Sequence, residues 1–193
     1  MLGLGSNRPH KGRSEEALLG SAAAELGKFF DEFRVSPLYR SAPLGVTDQP
    51  RFLNAAVSGF FPRRAVNASD GGKNPREQAY QLLGILADIE SRHGRDRALE
   101  RRWGERSLDI DILLFGEQIL DGPGLCLPHP RLRERAFALR PLLDLVPGAR
   151  EPGTGKPYRD ILETLPPQEI TAAGYLLPGQ DAVYSSYRWK ALP

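Results

Sequence analysis

The chain has a single cysteine, Cys126, among 193 residues. No internal disulfide can form, and a reducing compartment is expected. No apolar run approaches the roughly 18 residues that read as a membrane span, so no membrane partner is expected. No signal-peptide pattern opens the chain, and a cytoplasmic protein is expected. Charge of one sign is also scarce overall. The net charge is only +2, too little to make nucleic acid the main partner. Neither a dinucleotide fingerprint nor a P-loop is present, since Gly3-Leu-Gly5-Ser-Asn7 lacks their spacing. No Ser/His/Asp or Cys/His array stands out, so covalent catalysis is not favoured. No internal repeat is visible. What remains is an ordinary globular balance, 40% hydrophobic and 26% charged, in a length that suits one domain spanning 1–193.

Against that background one stretch is unusual: Arg102-Trp-Gly-Glu-Arg-Ser-Leu-Asp-Ile-Asp-Ile-Leu-Leu-Phe115. In a strand, alternate side chains share a face, so Asp109 and Asp111 project together and Leu108, Ile110 and Ile112 oppose them. Strands disfavour aspartate. Two like charges on one face cost energy unless a cation lies between them. A hard ion such as Mg²⁺, held by one or two carboxylates plus substrate phosphates, meets that need. The plainer alternative is a solvated strand face. Arg92, Arg95, Arg97, Arg101, Arg102 and Arg106 crowd the same region against Asp96, Glu100 and Glu105. That local excess of positive charge suits a small polyanion, and Trp103 offers a surface for a flat ring. His129 lies between Pro128 and Pro130, which fix the backbone that aims it.

The pattern predicts a strand ending in the glycines at 3 and 5 and a helix over 14–28 with Glu15 and Glu16 in its first turn. Strands follow at 33–40 and 52–61, separated by a loop with two prolines. A polar, glycine-rich loop covers 66–74. Asn74-Pro-Arg-Glu77 starts a second helix. A strand over 107–115 comes next, then a small hairpin from 118–120 and 125–127 around Asp121-Gly-Pro-Gly124. A helix over 132–145 is expected to break or kink at Pro141, and a short helix covers 158–165. The tail beyond 166 carries mixed signals and is not placed. The order is that of the α+β, ferredoxin-like split βαβ fold: an antiparallel sheet with helices on one face, plus the hairpin and C-terminal helices.

Several stretches together resemble the 6-hydroxymethyl-7,8-dihydropterin pyrophosphokinases of folate biosynthesis. They are Leu4-Gly-Ser-Asn7, Ser36 to Gly45, Asp48 to Val57, Arg102 to Phe115, Leu127-Pro-His129 and Arg135-Ala-Phe137. The resemblance implies transfer of pyrophosphate from ATP to the pterin hydroxymethyl oxygen, releasing AMP. It implies that Asp109 and Asp111 bind two Mg²⁺ ions, and that Arg95 and Arg106 are catalytic arginines reaching the triphosphate. Glu90, Arg97, Arg102, Trp103, Ile112, His129 and Arg135 match ATP-contacting positions. The pterin would lie against Trp103 or Phe137 with Phe52, with Asn54 reading its polar edge. Ser41, Ala42, Pro43, Leu44 and Gly45 would lie beside it. A monomer is expected, with ATP and the pterin as partners and no nucleic acid. Basic residues interleaved with aromatics leave a second reading, a ferredoxin-like module for single-stranded nucleic acid. The acid pair argues against that one. A member that binds pterin without transfer is a third.

Overall fold

The fold is that of a computed structural model, whose described residues are 1–62, 74–96, 104–178 and 187–191. It opens with strand β1 (Leu2–Ser6) and helix α1 (Glu15–Leu26). The hydroxyl of Ser14 caps α1 by accepting from the Ala17 amide, and Glu15 and Glu16 favour the positive end of the helix dipole. Strands β2 (Asp31–Val35), β3 (Pro37–Ser41) and β4 (Phe52–Phe60) follow, then helix α2 (Pro75–Arg92). The Asn74 side chain accepts from the Glu77 amide at 2.9 Å, and Pro75 occupies the first helical position, where its missing N–H costs nothing. Strand β5 (Asp109–Ile112) returns to the sheet. The hairpin β6 (Leu120–Gly122) and β7 (Leu125–Leu127), helix α3 (Ala136–Leu145), helix α4 (Tyr158–Thr164), and strands β8 (Ile170–Pro178) and β9 (Tyr187–Ala191) complete the chain.

The main sheet runs β5-β1-β4-β3-β8-β9, with β2 also pairing β4, and each pair is antiparallel. β5, β1, β4 and β2/β3 with α1 and α2 form the ferredoxin-like unit. Leu2 and Leu4 of β1, Leu53, Ala55 and Val57 of β4, and Ile110 and Ile112 of β5 pack with Leu19, Leu26, Leu82, Leu86 and Ile89 of α1 and α2. A second core joins Leu113, Leu114 and Leu132 to Leu139 and Leu142 of α3 and Tyr158 and Ile161 of α4. The expectation of helices on one face is therefore corrected. α3 packs on β3 and β4 from the opposite side, and the Tyr39 hydroxyl donates to Asp144 of α3 at 2.5 Å.

Four boundaries also differ from expectation. The strand expected at 33–40 is divided at Ser36, whose hydroxyl donates to the Pro37 carbonyl and accepts from the Ala56 amide; Pro37 has no N–H to continue the ladder. The strand expected at 107–115 is reduced to four residues, because β1 offers partners only from Leu2 to Gly5. The hairpin turn is Pro123-Gly124, since Asp121 and Gly122 belong to β6. The helix expected at 132–145 divides at Arg135, whose backbone is extended (φ −119°, ψ 97°), not at Pro141. Pro141 removes a single hydrogen bond, and burial of Leu139 and Leu142 carries α3 across it. The unplaced tail supplies β8 and β9. Most of the 66–74 loop lies outside the described residues. No helix among the described residues is long and apolar enough to cross a membrane.

Candidate active site

The site is built on one row of the sheet. Gly5 pairs with Asp109 on one side and with Asn54 on the other; two rungs along, Gly3 pairs with Asp111. Directly opposed residues of antiparallel strands project from the same face. Leu4 with Ile110 and Ala55 faces the α1/α2 core, so Gly3, Gly5, Asp109, Asp111 and Asn54 face the α3 side. Glycines 3 and 5 are not turn residues: they lie within β1. Their missing side chains leave the floor between the acids and Asn54 open, under a cavity of about 280 Å³. A Cβ on Gly5 would lie 3.6 Å from Asn54 Oδ1 and 4.0 Å from Asp109 Cβ.

The two aspartates have different surroundings. Asp109 accepts from Arg95 at one carboxylate oxygen and from Arg106 at the other. Burial opposes its charge, but the two guanidiniums prevail and hold the carboxyl below its usual range. Arg95 also donates to Glu90, and Glu90 accepts from the Ile110 amide at 2.7 Å. Glu90 is 1% exposed. It therefore stands behind the site, joining the end of α2 to β5 and orienting Arg95.

Asp111 has no such clamp. Its side chain is 40% exposed, toward the cavity, with Arg135 Nη1 3.6 Å and His129 Nε2 3.7 Å from Oδ2. Burial and then the charge of Asp109 push its carboxyl above the usual range, against the pull of His129 and Arg135. His129 Nδ1 accepts from the Arg131 amide at 3.1 Å, so the neutral ring carries its proton on Nε2, facing Asp111. Burial lowers the His129 pKa, against the opposing charge of Asp111. Repulsion between adjacent carboxylates is what a divalent cation relieves, so the pair fits Mg²⁺. Among the described residues no group of three or more His, Cys, Asp and Glu side chains could hold a metal. An ion at the pair would take its other ligands from phosphate and water.

The other end of the cavity is apolar and amide-lined. Ser41, Ala42, Leu44, Phe52, Asn54 and Phe137 line it; Pro43 and Gly45 do not. Asn54 is 4% exposed. Its Nδ2 donates to Ser41 Oγ at 3.0 Å and to the Tyr39 carbonyl at 3.3 Å, which turns Oδ1 toward the cavity above Gly5. Arg135 lies with its guanidinium carbon 5.6 Å from the centre of the Phe137 ring, a cation–π contact joining the two ends.

Of the expected residues, the structure brings Arg95, Arg106, Asp109, Asp111, His129 and Arg135 to the cavity wall. It does not bring Ile112, whose side chain is in the α1/α2 core, or Glu90. Arg97, Arg102 and Trp103 lie outside the described residues. Three residues were not expected. Asn7 is fully buried; its Nδ2 donates to Gln49 and to the Pro50 carbonyl, both at 3.1 Å, and its Oδ1 accepts from the Arg106 amide at 2.8 Å. Asn7 thus ties the Gln49 loop to the backbone of Arg106. Gln49 and Arg131 line the cavity. The signal for the floor was available: glycines two apart in a strand share a face. Asn7 belongs to one of the matching stretches, but its role was not legible there, because its partners lie 42 and 99 residues away.

Comparison with known proteins gives the family of the chain. Residues 1–147 match the family model described as 7,8-dihydro-6-hydroxymethylpterin-pyrophosphokinase. A 2-amino-4-hydroxy-6-hydroxymethyldihydropteridine pyrophosphokinase of Pseudomonas aeruginosa is 47% identical over 132 residues, covering 68% of this chain and 71% of that one. One of the same name from Methylorubrum extorquens is 39% identical over 173 residues, covering 88% and 94%. A Plasmodium falciparum HPPK-DHPS crystal structure superposes with a TM-score of 0.58 at 14% identity. This chain spans 44% of that longer protein, and at such identity the likeness shows the fold alone. The chain belongs to the 7,8-dihydro-6-hydroxymethylpterin-pyrophosphokinase family, ATP-dependent enzymes that transfer pyrophosphate to the hydroxymethyldihydropterin in folate biosynthesis.

Proposed function

We propose that this chain carries out the family's transfer with the residues of the Asp109–Gly5–Asn54 row. The observation that carries this reading is the row itself: an acid pair and a locked amide on one face, with glycine between them. Asp109 and Asp111 would hold Mg²⁺, with two ions expected. When bound, such ions neutralise charge on the ATP phosphates and orient them. Arg95 and Arg106, already aimed at the acid pair, stabilise the charge that builds on the transferred group. Arg135 binds phosphate oxygens as a fork-shaped donor, and His129 offers its Nε2 proton to the same region. Phe52 and Phe137 hold the pterin ring by offset stacking and desolvation. The Asn54 Oδ1 accepts from an N–H on the pterin edge. A ring lacking that donor would leave a buried oxygen unpaired and be rejected.

We infer that the chain acts as a monomer on ATP and the hydroxymethyldihydropterin. The need for ATP favours the cytoplasm. The test is AMP release from ATP, Mg²⁺ and 6-hydroxymethyl-7,8-dihydropterin. AMP that forms only when the pterin is present is the expected result. Folded protein that yields none overturns the reading.

A further inference from the structure

The chain beyond the family-matched stretch 1–147 reaches back to both walls of the cavity. Gln168 and Glu169 immediately precede β8. The Gln168 side-chain oxygen accepts from the Ala136 amide at 2.9 Å, and its amide nitrogen donates to the Glu134 carbonyl at 2.7 Å. Those two backbone groups flank Arg135. The first turn of α3 has no side-chain cap of its own at Arg135, so Gln168 supplies one from 32 residues further along the chain. That turn presents Arg135 and Phe137 to the cavity. Glu169 holds the facing wall. Its carbonyl accepts from the Ala42 amide at 3.1 Å, and its carboxylate pairs with Arg51, the neighbour of Phe52. The next rung, Ile170 with Ser41, begins the β3–β8 ladder.

We propose that Gln168 and Glu169 form a positioning element of the active site, fixing the gap between the Arg135–Phe137 wall and the Ala42–Phe52 wall. The inference rests on the reading given above. Gln168 does not line the cavity; it acts through the first turn of α3. A flat ring held between two faces depends on their separation, and small misplacements of such walls weaken binding and turnover. α1 carries a comparable cap at Ser14, which lines no part of the cavity.

The test compares full-length Gln168→Ala, Gln168→Glu and Ser14→Ala with the parent, reading KM, kcat and thermal melting. A lost cap weakens local order modestly, so Gln168→Ala is expected to raise KM for the pterin about three- to tenfold, with a smaller fall in kcat. Gln168→Glu keeps an acceptor for the Ala136 amide but sets a carboxylate oxygen against the Glu134 carbonyl, so it is expected to recover only part of the KM. Ser14→Ala is expected to lower the melting temperature similarly and leave KM within about twofold of the parent. An unshifted KM in an active Gln168→Ala overturns the inference, as does an equal KM rise in Ser14→Ala. A parent that forms no AMP overturns the functional reading itself, and the two failures are distinct.

Discussion

Asp109 and Asp111 stand one residue apart on the same face of β5, and their surroundings differ in kind. Asp109 is clamped by two arginines and braced from behind by Glu90. Asp111 opens onto the cavity, with the Arg135 guanidinium 3.6 Å and the His129 ring 3.7 Å away. Their carboxyl pKa values move in opposite directions. Asp109 is satisfied by the protein alone, and it serves both the fold and the site. Asp111 is left in a setting that disfavours its charge, which a bound cation would relieve. The same residue type at one strand spacing therefore carries two balances of stability and function.

The sharpest test is Asp111→Ala. Turnover is expected to fall about 10³-fold, as when a charge-stabilising group is removed. Melting of the ligand-free chain is expected to hold or rise, because a repulsion with Asp109 disappears. The sign follows from the raised pKa: the contribution of Asp111 to stability is present below its unfolded pKa and lost as pH rises through its folded value. A variant that melts clearly earlier breaks the contrast. Asp109→Asn should also cost turnover, but with a stability loss of about 3 kcal/mol in urea at pH 7, because Arg95 and Arg106 lose their partner. Here the folded pKa is depressed, so the stabilisation is present above the unfolded pKa and lost as pH falls through the folded value. The gap between parent and variant is thus expected to start closing as pH falls below about 4, and to vanish only below the depressed folded pKa. Carboxyl-carbon NMR reads the pair directly: without metal, Asp111 should titrate above about 3.9 and Asp109 below it. Mg²⁺ should draw the Asp111 titration downward; the reverse order of the two groups would dissolve the comparison. The smallest effect is expected from Gly5→Ala. Its Cβ makes only ordinary contacts, at 3.6 to 4.0 Å, so melting should be unchanged. The floor narrows between acid and amide, and KM for the pterin should rise about threefold; an equal rise for ATP would misplace the boundary.

Much of the scaffold was legible because it is encoded locally. Ser14 and Asn74 announce their helices by capping chemistry that needs only three neighbouring residues. The alternation at Asp109 and Asp111 reports their shared face for the same reason. What was not legible depends on distant partners. β5 ends where β1 stops offering rungs, and α3 begins just after Arg135, where Gln168 binds the backbone groups on either side. The strands β8 and β9 are fixed by pairing with β3 and with each other, and no local pattern names those partners. Among site residues, Asn54 and the acids were found from short motifs, whereas Asn7 and Arg131 gain meaning only from where the chain brings them. Ile112 shows the converse: its place in the motif suggested nucleotide contact, but the strand's own alternation turns its side chain into the core.

The row Asp109–Gly5–Asn54 also acts as a ruler. Neighbouring strands lie about 4.8 Å apart, so two steps separate the acid backbone from the amide backbone by about 10 Å. That length is set by backbone hydrogen bonding, which side-chain substitution hardly alters. On the function proposed above, a substrate would bridge it with its ring edge at one mark and its reactive hydroxyl at the other. Selection for the length of the arm between ring and hydroxyl would then be written into the pitch of the sheet.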